Sequence, residues 1–314
     1  MSYSKPTIDT DAILTLLRQQ FADDITRLES IQSGHVAQTY SFAVREKDFI
    51  IRFNTSNEAF EKDAYAYNNF STADIPIPRI VNIGAINGLY YAISKKLPGT
   101  MVNYMTDAEF RKVIPSLMEV LDHIHHVDVR DQQNYGYMNA RGVGQHTSWH
   151  EHITSIIEED PADFFGRWHT LFQDSFLEKS VFDTIYQKMI DLLDYCPEER
   201  YLLHGDYGFD NVLAYEGKVT AVLDWALSQY GDFLYDVAYL NYFAFQYNFQ
   251  EYFRQFYASK GVSVPYYNER MRCYTCYIGL SAMRFFASMQ LEREYVWART
   301  RVLSLVTDSS SQKE

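Results

Sequence analysis

Residues 201–238 read YLLHGDYGFDNVLAYEGKVTAVLDWALSQYGDFLYDVA. Three apolar residues lead into His204-Gly205-Asp206, and Asn211 follows five residues after Asp206. Val212-Leu213-Ala214, a turn over Tyr215 to Lys218, and Val219 to Leu223 form a short hairpin by alternation and turn residues. With Ala214 facing Val219 across that turn, Asn211 lies opposite Val222 or Leu223, next to Asp224. The hairpin therefore brings an amide and a carboxylate together at its open end. Two such oxygen donors suit Mg²⁺, a hard cation that takes its remaining ligands from water and phosphate. Asp206 stands just ahead of the pair, where it can orient an attacking hydroxyl. A carboxylate base, two metal ligands and a nucleotide are the components of phosphoryl transfer. Each residue alone is equally readable as a turn or helix cap; the ordered set is far more specific. His204 reads as an anchor of the loop, not as an acid or base.

Outward from this stretch, the chain divides into two parts. Residues 11–21 have helical spacing, with Asp9 and Thr10 as cap candidates. Strands are expected at 26–32, 36–44 and 49–54, a helix at 56–70, and strands at 79–85 and 89–94 split by Asn87-Gly88. Ile75-Pro76-Ile77-Pro78 forces extended backbone after the helix. Pro98-Gly99 marks a boundary. Beyond it helices are expected at 107–126, 148–159, 175–195, 233–258 and from 266 to 290 or further, and 308–314 read as a polar tail. The expectation is an α+β protein with a sheet-containing N-lobe over 1–97 and a mainly helical C-lobe over 98–314.

The set HGD, Asn211 and Asp224 resembles the catalytic and metal-binding motifs of the aminoglycoside phosphotransferases, relatives of the protein kinases. The resemblance spans most of residues 25–240. FIIRFN at 49–54, FEKDAYAYNNF at 60–70, IPIP at 75–78 and GVGQHTSW at 142–149 resemble the branch of that family that phosphorylates hygromycin B. It implies a two-lobed, protein-kinase-like fold. Asp206 is then the catalytic base, Asn211 and Asp224 hold Mg²⁺, and Asp232 and Asp236 of a GDxxxD motif brace the catalytic loop together with His204. Ser33 and Gly34 belong to the loop over the nucleotide phosphates. Arg52 stands where most of the family carries Lys, keeping the charge and adding a fork for phosphate oxygens; Asp63 is its carboxylate partner. Lys95, Lys96 and Leu97 match the inter-lobe linker, whose backbone meets the adenine edge. The implied nucleotide is ATP, with GTP as the alternative.

Composition limits the partners. The chain has 314 residues, with 28 basic and 41 acidic side chains and a net charge of −13. Such a surface repels nucleic acid and anionic membranes and is compatible with a small cationic sugar. For that acceptor, Asp210 inside the catalytic loop and Glu151 in the acidic run 151–163 are candidate partners. Trp149 and Trp225 are candidate apolar faces. The implied activity is O-phosphorylation of an aminocyclitol antibiotic, hygromycin B foremost, with resistance as the consequence. Kinases for other small alcohols and a pseudokinase are the rival readings. Gly231-Asp232 follows Asp224 too soon for a protein-kinase activation loop. The lone C273-x-x-C276 pair lacks a second pair for zinc. The sparse cysteines, the absence of an apolar stretch in MSYSKPTIDT and of a run long enough to span a bilayer lead us to expect a cytoplasmic protein.

Overall fold

The computed structural model describes residues 6–22, 25–31, 37–161 and 165–307. Helix α1 (Thr10–Phe21) starts at Asp9, whose carboxylate accepts the Asp11 N–H, and buries Ile13, Leu16 and Leu17. Strands β1 (Ile25–Ile31), β2 (Gln38–Val44) and β3 (Lys47–Asn54) follow, then α2 (Glu58–Phe70), β4 (Ile80–Ile86) and β5 (Leu89–Lys95). They make one antiparallel sheet in the order β1-β2-β3-β5-β4. The β4–β5 turn at Asn87-Gly88 has positive φ at both residues, the hairpin geometry that this dipeptide favours. Ile13 and Leu17 of α1 pack on Phe42, Phe49, Ile51 and Ile93 of the sheet. Ala66 and Phe70 of α2, with Ile75 and Ile77, belong instead to the larger core. The proline-rich connection thus reaches across to the rest of the molecule.

That larger part contains β6 (Thr100–Met101), α3 (Asp107–His125), β7 (Tyr135–Met138), β8 (Gly144–His146) and α4 (Trp149–Thr154), followed by α5 (Leu171–Asp174) and α6 (Lys179–Leu193). Next come β9 (Tyr201–Leu203), β10 (Val212–Tyr215), β11 (Lys218–Val222) and β12 (Gln229–Gly231), and last α7 (Leu234–Phe243), α8 (Phe249–Ser259), α9 (Tyr267–Ser288) and α10 (Glu292–Thr307). A capping box of Thr106 and Glu109 starts α3. The whole is α+β: an antiparallel sheet with its helices, then a mainly helical part with short strands.

Two helices are shorter than their periodicity suggests. The stretch 233–258 divides because Asn248 takes a left-handed conformation, φ 46°, between α7 and α8; Asn is one of the few residues that tolerate it. The stretch 148–159 is helical only to Thr154 and tightens into a 3₁₀ turn over Ser155–Ile157. No described helix is long and apolar enough to cross a membrane.

Candidate active site

The β10–β11 hairpin pairs Ala214 with Val219, as the alternation requires, and Val212 with Val222. One step further the Leu223 N–H donates to the Asn211 carbonyl at 2.8 Å. Asn211 is thereby placed beside the residue that precedes Asp224. Its Nδ2 donates to both the carbonyl and Oδ2 of Asp206, at 3.0 and 2.8 Å, which leaves its own Oδ1 uncommitted among the described residues. Asp224 sits at φ 60° and receives only a 3.4 Å contact from the Ala226 N–H. Burial, then the neighbouring Asp63 charge, pushes its carboxyl above the usual range, and Arg52 opposes them. A carboxylate so placed favours a nearby cation.

Asp206 lies in the loop between β9 and β10. Burial, then Asp210, and after the opposing Tyr239 hydrogen bond also Asp224, push its carboxyl up to about 8, with the Asn211 bond opposing them as well. The charged groups acting on it are carboxylates. The loop is held by its backbone. Asp236, fully buried, accepts the His204 N–H at 2.9 Å and the Gly205 N–H at 2.8 Å, and lies 3.1 Å from His125 Nε2. The His204 ring bridges Leu223 O, 3.0 Å from Nε2, and the Asp206 N–H, which donates to Nδ1 at 3.2 Å. Gly205 has φ 80°, and a Cβ there would lie 2.0 Å from Leu227 O. Only glycine fits this crossing. Asp232 caps α7 at the Leu234 N–H and pairs with Arg270 and Tyr274 of α9. His204 and Asp236 thus tie the loop to its surroundings, whereas Asp232 joins the start of α7 to α9 and has no hydrogen bond to the loop among the described residues.

On the sheet side, Arg52 pairs with Asp63, and Asp63 Oδ1 accepts the Trp225 N–H at 2.8 Å. Burial by itself would lower the Arg52 guanidinium, but the charges of Asp63 and Asp224 outweigh it and hold it above its ordinary value. Lys62 adds a second tie, from Nζ to Ala226 O at 3.2 Å. In the linker, the N–H groups of Lys95 and Lys96 already donate to Arg79 O and Asp48 O. Of the three linker residues, only Leu97 has an N–H with no partner among the described residues. Ser33 and Gly34 lie outside the described residues.

The acceptor candidates divide. Asp210 is exposed on the loop between β9 and β10. Glu151 is also exposed, but its Oε2 accepts the Thr147 N–H at 2.8 Å and the Thr147 hydroxyl at 2.6 Å, so it closes the start of its own helix. Asp163 lies outside the described residues. Trp149 and Trp225 are corrected: both are fully buried and offer no face to a sugar. Trp149 donates to Tyr274 and its ring fills the space beside Gly231. Trp225 packs between His204 and Phe70.

One neighbour of Asp206 escaped the sequence reading. The Tyr239 hydroxyl donates to Asp206 Oδ1. It lies three residues beyond Asp236 on α7, hence on the same helix face.

A family model described as the phosphotransferase enzyme family matches residues 27–270. Hygromycin-B 4-O-kinase of Escherichia coli is 32% identical over 235 residues, covering 74% of this chain and 67% of that protein. A thermostable variant of aminoglycoside phosphotransferase APH(4)-Ia, in a ternary complex with ADP and hygromycin B, superposes with a TM-score of 0.84. It is 26% identical, with 96% of this chain and 100% of that chain covered. Spectinomycin phosphotransferase APH(9)-Ia shares the fold alone, at TM-score 0.61 and 13% identity over 96% of this chain and 97% of that one.

Proposed function

The chain belongs to the phosphotransferase enzyme family, and from that premise we propose that it transfers the γ-phosphoryl group of ATP to a hydroxyl of a cationic aminocyclitol, hygromycin B. The observation that carries this reading is the joint placement of Asp206, with a hydrogen bond to each carboxylate oxygen, and the Asn211–Asp224 pair with oxygens to spare.

The acceptor hydroxyl gives its proton to the Asp206 carboxylate as its oxygen bonds to the γ-phosphorus. The bond from that phosphorus to the β–γ bridging oxygen breaks, and ADP leaves. Asn211 Oδ1 and the Asp224 carboxylate would hold Mg²⁺, which supplies charge neutralisation for the phosphates. Among the described residues no three His, Cys, Asp or Glu side chains gather into a protein-only cage. A site completed by phosphate oxygens and water is what two protein ligands can build. Arg52, aligned by Asp63, faces the phosphates, and the Leu97 N–H is the linker donor left for the adenine edge. Asp210 contributes negative charge for the acceptor's amines. The division of labour follows: residues 1–97 hold nucleotide, and residues 98–314 supply the base, the metal ligands and the acceptor site.

The test is direct. The protein is incubated with ATP, Mg²⁺ and hygromycin B, and the drug is weighed by mass spectrometry. We expect a gain of one phosphoryl group. Failure to modify hygromycin B or any other cationic aminoglycoside, while a neutral alcohol is phosphorylated, would overturn the substrate and leave the kinase.

A further inference from the structure

A carboxylate that accepts a proton from a bound hydroxyl must present one oxygen lone pair in a defined direction, yet it rotates freely about its Cβ–Cγ bond unless something stops it. Two donors stop it here, one for each oxygen, and they come from different elements. Asn211 Nδ2, from the start of β10, holds Oδ2 at 2.8 Å, and the Tyr239 hydroxyl, from α7, holds Oδ1. We propose that Tyr239 is a positioning residue for phosphoryl transfer, fixing the plane of the Asp206 carboxylate toward the acceptor hydroxyl. This rests on the reading of Asp206 as the base.

Helix α7 is suited to the task. Its Asp236 already pins the loop backbone through the N–H groups of His204 and Gly205. Tyr239, nearly one turn later, pins the side chain of the very next residue. Loop backbone and catalytic carboxylate are thus indexed to one rigid element, the arrangement that precise sites need. Tyr239 is itself held from behind. Its ring lies 4.8 Å from Phe243, one turn on, and Phe243 stacks on Trp297 of α10 at 5.8 Å with 26° between planes. Burial, followed by the adjacent Asp206 charge, pushes the phenol well above its ordinary value. The phenol therefore keeps its proton and serves as the donor in this bond.

The experiment uses the full chain and the mass-shift assay with ATP and hygromycin B. Tyr239→Phe keeps the ring and removes the donor. We expect kcat to fall roughly ten- to a hundredfold, with KM for ATP and for the drug within about twofold, because the lost interaction serves orientation and not binding. ATP affinity and melting temperature stay near those of the unaltered protein. In an Asp206→Asn background the same change should have no further effect, since Tyr239 acts through that carboxylate. Phe243→Leu, which leaves the hydroxyl and loosens the ring, should give the same split in smaller measure. A Tyr239→Phe enzyme with unchanged kcat overturns the proposal, as does an equal loss in the Asp206→Asn background. Should Tyr239→Phe not fold, an unchanged kcat in Phe243→Leu overturns it. Should Asp206→Asn by itself retain full kcat, it is the reading of Asp206 that fails.

Discussion

Asp63 Oδ1 accepts the backbone N–H of Trp225 across 162 residues of chain. Its second oxygen pairs with Arg52. One buried carboxylate thus ties the cation of the sheet to the backbone immediately after Asp224. Whatever positions Arg52 also positions the candidate metal ligand.

Asp63→Ala should therefore strand a buried N–H and a largely buried guanidinium together, at a cost of roughly 3 kcal/mol. Asp63→Asn keeps an oxygen for Trp225 and loses the charge and the acceptor for Arg52. Thermal melts should rank the alanine variant clearly below the asparagine variant, while both raise KM for ATP severalfold. Equal melting temperatures would mean that the Trp225 bond carries nothing.

Asp224 and Asn211 differ in what each offers a metal. A carboxylate gives a charge and two oxygens, whereas the Asn211 amide gives one neutral oxygen, held in place by the bonds of its nitrogen to Asp206. Asp224→Ala should raise the Mg²⁺ concentration for half-maximal rate more than Asn211→Ala does. Rate measured against Mg²⁺ decides; an unchanged metal requirement in the Asp224 variant removes it from the site.

Stability should depend on pH through His152. Its ring is buried, stacked on Trp149 and surrounded by His146, Tyr137, Gln229 and Tyr277. Burial, then His146, lowers it to about 3 from an ordinary 6.5. Between those values the unfolded chain binds a proton that the folded chain refuses, so stability rises with pH across that window and levels off above 6.5. The slope is at most about 1.4 kcal/mol per pH unit. His152→Gln should flatten melting temperature against pH over 5–6.5 relative to the unaltered protein. An unchanged slope would assign the acid sensitivity elsewhere.

Much of this was legible before any coordinates, and the gaps have physical causes. The Ala214–Val219 pairing followed from alternation and a short turn, which brought Asn211 near Asp224; the one-residue register shift between Leu213 and Ala214 did not, because a bulge leaves the alternation of a short strand unmarked. Asp63 was legible through the family resemblance, which implies a carboxylate partner for Arg52 on the helix after its strand. Tyr239 was not, because motif letters stop at Asp236; the helical spacing carries the same face to residue 239, but with 26 tyrosines in the chain spacing does not say which one meets a carboxylate. Trp149 and Trp225 misled because an amphipathic ring beside polar motifs reads as surface. The left-handed turn at Asp224 instead sends the next side chain inward.

Electrostatics should govern how the acceptor is captured. The chain carries −13, and burial, with the charges of Asp210 and Asp224 adding to it, raises the Asp206 carboxyl. A polycationic sugar entering there is attracted at long range and relieves that repulsion, whereas a neutral alcohol does neither. Salt screens such attraction, with a Debye length of roughly 10 Å at 0.1 M. KM for hygromycin B should therefore rise severalfold between low and high ionic strength, with kcat changing less. Asp210, exposed on the loop, is the side chain free to meet an amine directly. Asp210→Asn should raise KM for the drug, leave KM for ATP nearly unchanged, and flatten the salt dependence. Glu151→Gln, whose carboxylate is already bonded to Thr147, should alter KM little and melting temperature slightly. Initial rates over a salt series for the three proteins separate the possibilities. A KM indifferent to salt would mean that shape and hydrogen bonds, not charge, select the acceptor; a larger KM effect from Glu151→Gln than from Asp210→Asn would move the amine-binding face to α4.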